Sequence, residues 1–493
     1  MIRCLARAIA PLLLALGLAP QAQAAAPLGF DDARHLLNRT SWAASPDEIL
    51  AFAKLTREQA VDRLFAWTGR PAATPVPEAL ARYEPLPRVQ NLNEEERRAF
   101  QQDQFRKAVT LKDWWMTELL VTASPLTEKM TLFWHNHFVS SLQKVRLAHL
   151  MVRQNQLLRR HALGNFGELL HAASKDPAMV VYLDNVSNRK GQPNENFARE
   201  VMEIFTLGEG NYTERDVKEA ARAFTGWSIE RETGEFVFRR MLHDDGPKTV
   251  LGRTGNFDGD AVLDILLAQP QTAELVVAKL WREFVSPTPD PAEVRRIARV
   301  FRESRYEIKA ALRALLTSDA FYAPANRASL VKSPVDLVVG TLRQFRFETG
   351  EVTPLMIAVR QLGQDIFTPP NVKGWPGGDA WINATTLLAR KQLLERLFRA
   401  EEMAGPMRAA MAQSGDFGAP KALAKGGDEM RARLVKAMTD IRFDSRAWLG
   451  QFRPGEPIAK VVLAAEPANP LPAGAQGVEL VRALVLDPVY QLK

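Results

Sequence analysis

Capped helix starts recur along this chain and confine it to a helical architecture. Ser45-Pro46-Asp47-Glu48 sets a hydroxyl cap, a first-position proline and a capping-box acid in order. Thr56 to Gln59 and Thr213 to Asp216 repeat the capped start. Helical patterns run over 93–122, from Ser124-Pro125 to Phe138, and over 147–163, 166–174, 177–183, 260–267, 272–284, 291–304, 308–317, 334–345 and 383–399. Alternation belongs to one region, where Phe236 and Phe238 interleave with polar neighbours beside Thr233-Gly234, so a small hairpin is expected within 228–251. The expected fold is mainly α, a multi-helix globular body with one small β-hairpin. A proline-rich stretch over 71–87 reads as a linker or a wrapped loop, and Gly, Pro and Ala enrich 405–427 and 454–477. The expected division is an export signal at 1–24, a helical core at 25–403 and a looser C-terminal helical section at 404–493.

The first residues carry an address. Arg3 and Arg7 precede an apolar run from Ala8 to Leu18, and Ala22-Gln23-Ala24 supplies the small-x-small pattern of a secretory cleavage site. The run is shorter than the roughly 18 apolar residues a membrane span needs, and no later stretch approaches that length. Export to the periplasm or the extracellular space is therefore expected, with no transmembrane segment. Cleavage after Ala24 would also remove Cys4, the only cysteine, leaving no disulfide, thiolate ligand or cysteine nucleophile. The net charge of +7 falls to +5 once Arg3 and Arg7 leave. Acids and bases are mixed throughout, without a basic run, so nucleic acid is not an expected partner.

Four stretches hold candidate chemistry. The first, NENFAREVMEIFTL over 194–207, places Asn194, Asn196, Glu200 and Glu203 beside an apolar stripe of Phe197, Val201 and Ile204. Two carboxylates one turn apart repel unless a cation, a proton or an arginine intervenes. Glu200 and Glu203 are thus candidates for acid and base work or for holding a divalent cation, while Arg199 offers an internal counter-charge that would make the cluster structural. The second, Trp134-His135-Asn136-His137-Phe138, holds two histidines. Side chains two apart on a helix diverge by about 200°, so His135 and His137 can share a metal only if the helix ends between them. The third is His243-Asp244-Asp245-Gly246, a possible ligand loop whose residue types are also those of ordinary turns. The fourth spans 364–383, where Trp375 and Trp381 with Lys373 and Asn383 suit either a sugar-binding wall or a plug between helices. Signatures of serine hydrolases, zinc proteases, phosphate loops and haem attachment are missing.

Taken together, the chain resembles the bacterial domain of unknown function 1800 family. The resemblance rests on HLLNRTSW near His35, EKMTLFWHNHF, LLRRHALGNFGELL, DPAMVVYLDN, NENFARE with FTLGEGNYTE and FTGW, HDDGPKTVLG, VKSPVDLVVG and PPNVKGWPGG with WIN, and covers about 31–397. It implies export, a mainly helical body and a shared polar site, without an established reaction. It also implies a possible partner, a secreted sulfatase-like protein, and the position of Phe205 is histidine in many relatives. The working expectation is a hydrolase or lyase on an envelope or extracellular polymer, with polysaccharide favoured; the alternative is a non-catalytic binding or assembly partner. Glu200, Glu203 and His135 are the catalytic candidates. Asn194, Asn196, Lys373, Trp375, Trp381 and Asn383 are the substrate-binding ones, and His135, His137, Glu200, Glu203, His243 and Asp244 the metal-ligand ones.

Overall fold

The computed structural model describes residues 26–42, 44–85, 92–399, 436–437, 440–453 and 455–493. The expected export signal at 1–24 and the expected connection over 405–427 lie outside them. Helices begin where caps were expected. Ser45, Thr56, Asn93, Thr213 and Ser333 each close a reciprocal capping box, satisfying backbone N–H groups that a helix start leaves orphaned. The longest helix, Glu94–Val121, leaves its first turns exposed and buries Leu111, Trp114, Trp115 and Leu119 from its second half.

Two hydrophobic cores result. One gathers helices from Gly29–Thr40 to Ile308–Leu316, around Trp134, Phe166, Phe205, Phe224 and Phe301. The other joins the buried end of Glu94–Val121 to Pro334–Gln344, Thr353–Gln361, Ala384–Arg399 and Gly477–Leu486. Each apolar side chain so enclosed contributes about 1.5–3 kcal/mol over its exposed state. Most buried residues after 440 belong to this second core, while Val461 joins the first: Trp448 Nε1 donates to the Gln344 carbonyl at 2.7 Å, and the Tyr490 and Thr341 hydroxyls lie 2.8 Å apart. The helix Pro125–His137 lies between the cores. Met130, Phe133 and Trp134 enter the first, while Leu132 packs on the second.

The expected hairpin is present: β1 (Trp227–Ile229) pairs antiparallel with β2 (Phe236–Phe238), Trp227 facing Phe238 and Ile229 facing Phe236. A second small hairpin follows it, β3 (Lys248–Val250) with β4 (Arg253–Gly255). Its strands, Lys-Thr-Val and Arg-Thr-Gly, lack the aromatic alternation that Phe236 and Phe238 give the first. Among the described residues no single helix is long and apolar enough to cross a membrane.

The stretch that opened the functional question is not a uniform helix. Asn196–Glu200 is α-helical, and Val201–Thr206 widens into a π turn in which Leu207 N–H reaches back five residues to the Met202 carbonyl at 2.8 Å. Thr206 Oγ1 donates to the Val201 carbonyl at 2.6 Å, occupying an acceptor of that turn. Such π bulges interrupt α-helices mostly near functional sites.

A lysine-rich cleft between the two cores

A cleft of about 410 Å³ opens where the two cores meet. Helical spacing explains much of its lining. Lys129, Phe133, Asn136 and His137 project from one face of Pro125–His137, and Lys279, Arg282 and Glu283 from one face of Pro270–Phe284. Lys373, Trp375 and Trp381 enter from the 364–383 loop, with Trp42, Asp336 and Lys493 completing the wall.

The polar floor is a buried ion cluster. Asp336 receives Lys129 Nζ at 2.6 Å on one oxygen and Lys493 Nζ at 2.7 Å on the other, and Lys493 also reaches Glu283 at 3.2 Å. Burial alone would push the Asp336 carboxyl up, but Lys129 and Lys493 overturn that and hold it well below the usual carboxylate range. The Lys129 ammonium also stands 4.3 Å from the centroid of the Trp42 ring. Behind this floor lies Lys332, partly buried, its ammonium 3.8 Å from the Tyr490 ring centroid, and desolvation pulls it down to about 7.

One asparagine fixes the tryptophan loop. Asn136 Oδ1 accepts from Trp375 N at 2.7 Å, and its Nδ2 donates to the Trp375 carbonyl at 3.3 Å. Gly374 permits this approach: its φ is +80°, and a Cβ there would stand 2.2 Å from Asn136 Oδ1 and 2.7 Å from the Asn136 carbonyl. Trp375 and Trp381 are consequently almost enclosed, at 4% and 7% exposure, so they form the cleft wall and a packing surface at once.

The two histidines part company. The helix continues through His137, so the imidazoles point to different neighbours and cannot share a metal. His135 is sealed among Trp115, Phe367 and Trp375, and burial lowers it to about 3. At 1% exposure its ring has no opening to the cleft, which removes the access that a catalytic or ligand role needs. His137 does line it, and its Nδ1 accepts from Lys279 Nζ at 3.0 Å. Burial, then Lys279, holds His137 well below the ordinary value, so it is a neutral acceptor.

The acidic stretch adjoins the cleft through Lys373, and Glu200 and Glu203 are not themselves among its lining residues. Glu203 accepts from Tyr212 Oη at 2.8 Å and lies 3.7 Å from Lys373 Nζ. Burial, then Glu203, raises Glu200. Arg199 does not neutralise this pair: it binds Glu214 through two hydrogen bonds of 2.8 Å and reaches Glu195 at 3.3 Å. The expected internal counter-charge is corrected accordingly. Ile204 contributes its carbonyl, which accepts from Lys279 at 2.8 Å, and Phe205 packs against His137.

The remaining candidates hold backbone and turns. Asn194 Nδ2 donates to Ser187 Oγ, its Oδ1 accepts from Asn196 N, and Asn196 Nδ2 donates to Asp184, a network that shapes the loop before the helix. His243 Nδ1 lies 2.9 Å from the Thr225 carbonyl, while Asp244 is gripped by Arg222 at 2.8 and 3.1 Å and held at about 2. Asn383 Oδ1 accepts from Thr386 N at 2.9 Å, capping Ala384–Arg399. Asn383→Ala is expected to lower stability by about 1 kcal/mol in denaturant unfolding, the usual effect of losing such a cap, without altering ligand affinity. Among the described residues no group of three or more His, Cys, Asp or Glu side chains is placed to hold a metal ion. The composite set of His135, His137, Glu200, Glu203, His243 and Asp244 is therefore not assembled. Its members face separate partners.

The residues that sequence reasoning passed over are Lys129, Lys279, Arg282, Asp336 and Lys493. Glu128-Lys129 inside the apolar EKMTLFW run was the available signal, the same kind of buried charge that marks Glu200 and Glu203. No curated protein and no solved structure matches the chain. A family model described as protein of unknown function (DUF1800) matches residues 35–492, from the first described helix through Leu492, beside the cleft residue Lys493. That match spans nearly the whole chain, and the protein belongs to the DUF1800 family.

Proposed function

We propose that the protein is exported and cleaves a polysaccharide of the cell envelope or the extracellular space, by hydrolysis or elimination. The observation that carries this reading is the cleft itself: tryptophan rings and a few fixed polar groups around about 410 Å³ is the make-up of a sugar subsite. At its border, burial raises Glu200 as a proton donor must be raised, while Glu203 keeps a hydroxyl and an ammonium as partners, as a base or anion stabiliser would. The test is incubation of the chain from residue 25 onward with neutral and acidic polysaccharides, following reducing ends and the ultraviolet absorbance of unsaturated products. Glu200→Gln is expected to cut turnover by about 10²–10⁴-fold with the melting temperature little changed. Cleavage of no polymer, or a Glu200→Gln variant as active as the parent, would overturn the reading.

A non-catalytic role as binding partner of a secreted sulfatase-like protein or of a polymer is favoured by a different observation. Phe238, Met241 and Leu242 are exposed on one short segment, Met241 to 91%. Loss of co-purification of such a protein in a Met241→Asp, Leu242→Asp variant would support it.

A further inference from the structure

Lys279 and Arg282 stand apart from the other cations of the cleft. The helix Pro270–Phe284 places them three residues apart, on the same stripe and facing the same opening. Lys279 is partly buried, and its two hydrogen bonds go to neutral acceptors, His137 Nδ1 and the Ile204 carbonyl. An ammonium has three N–H donors, so one direction remains unused. Arg282 makes no ion pair among the described residues. The nearby carboxylates are engaged elsewhere: Asp336 with Lys129 and Lys493, Glu283 with Lys493, and Glu203 with Tyr212 and Lys373. Five cationic side chains line the cleft against two carboxylates, both already paired, so a positive excess faces the space where a ligand would lie. Lys279 is partly buried and Arg282 exposed at the cleft mouth, so a ligand that supplies a counter-ion lessens the desolvation cost of the first and reaches the second from solvent.

The geometry points to Lys279 and Arg282 as the seat of an anionic oxygen group on the ligand, a carboxylate or a sulfate ester, so that the polysaccharide is an acidic one. This rests on the cleft being a sugar site and adds the chemical class of its occupant. Arg282 can present two parallel N–H groups to such an anion, and Lys279 a point charge from below. His137 makes the arrangement specific, since as a neutral acceptor it orients the Lys279 amine without cancelling its charge. Burial, then Arg282, brings Lys279 down to about 8, so its charge is lost within an accessible pH range.

The test is titration calorimetry of the folded chain with a carboxylated, a sulfated and a neutral oligosaccharide of equal length, for the parent and for Lys279→Met, Lys279→Arg and Arg282→Gln. At least one acidic oligosaccharide is expected to bind, the carboxylated and sulfated arms deciding which group fits. Lys279→Met and Arg282→Gln should each weaken that binding by about ten- to a hundredfold, the worth of a charge-assisted hydrogen bond, and Lys279→Arg should recover part of the loss. Affinity should also fall as pH rises through about 8, because the proton leaves Lys279. The groups facing it are the Arg282 guanidinium on its own helix, His137 on Pro125–His137, which burial keeps neutral, the Ile204 carbonyl, and Lys373, which Glu209 raises. A neutral oligosaccharide that binds as tightly as the acidic ones, unaffected by the variants, would refute the anion seat and leave the sugar site standing. Binding of inorganic sulfate or acetate that depends on Lys279 and Arg282, with no oligosaccharide bound, would do the reverse. No binding of any of them would overturn both.

Discussion

Asp336→Ala is expected to lower the free energy of unfolding by about 3–5 kcal/mol, the usual penalty for removing one partner of a buried ion pair. Asp336 is 7% exposed, and its two oxygens hold Lys129 at 2.6 Å and Lys493 at 2.7 Å, both lysines being themselves buried. Alanine would leave two ammonium groups facing each other in a low-dielectric floor, with only Glu283 left to answer Lys493. Equilibrium denaturation at neutral pH measures the loss. The same carboxylate makes a signed prediction about acid. Its folded pKa lies below the unfolded value of about 3.9, so its contribution is complete above that pH and disappears as the medium is acidified through the lower folded value. The parent should therefore lose stability on acidification below about pH 4 more steeply than Asp336→Ala. Parallel curves would refute the assignment. Replacing Lys129, Asp336 and Lys493 together by apolar residues should recover much of the loss, since a buried ion cluster is costly to break but can be replaced as a unit.

Gly374→Ala is the second large effect, expected to cost about 2–5 kcal/mol: about 1–2 for a side chain in the left-handed region and about 1–3 for the clash. The Cβ would lie 2.2 Å from Asn136 Oδ1 and 2.7 Å from the Asn136 backbone oxygen. Only the side chain could give way. If it swings aside, Trp375 loses both of its bonds to Asn136, and the cleft wall loosens. The variant should thus weaken ligand binding as well as melt earlier. Asn136→Ala, which removes the nearer of the two contacts and leaves the backbone one, separates the two contributions: the pair Asn136→Ala, Gly374→Ala should melt above Gly374→Ala alone while still binding poorly.

Most of the fold was legible because helix caps and apolar spacing are local. Asn93, Ser124-Pro125, Asp176-Pro177 and Ser333-Pro334 mark starts that the chain uses. The second hairpin was not legible, since Lys-Thr-Val and Arg-Thr-Gly carry no aromatic alternation like that of Phe236 and Phe238. Within the site, His137, Lys373, Trp375 and Trp381 were found by residue type and do meet at one cleft. Lys279 and Arg282 look like the solvated face of an amphipathic helix, and Asp336 like a capping acid, which it also is. What turns them into a floor and a seat is their long-range partners, which no spacing rule reveals. The Arg199 misassignment has the same origin. Its spacing to Glu203 suggested a helical pair, but the nearer answer was Glu214 on the following helix.

The ion cluster also says something about how the molecule is built in time. Lys129 and Asp336 are 207 residues apart in the chain, and Asp336 and Lys493 are 157 apart. Contacts of such separation close only after large loops have been ordered, so they belong to the late, slow part of folding. The cleft is therefore among the last features to appear, and a molecule stalled before that point could hold most of its helices and still have no place for a ligand. Ligand binding reports completed assembly, whereas helical content does not.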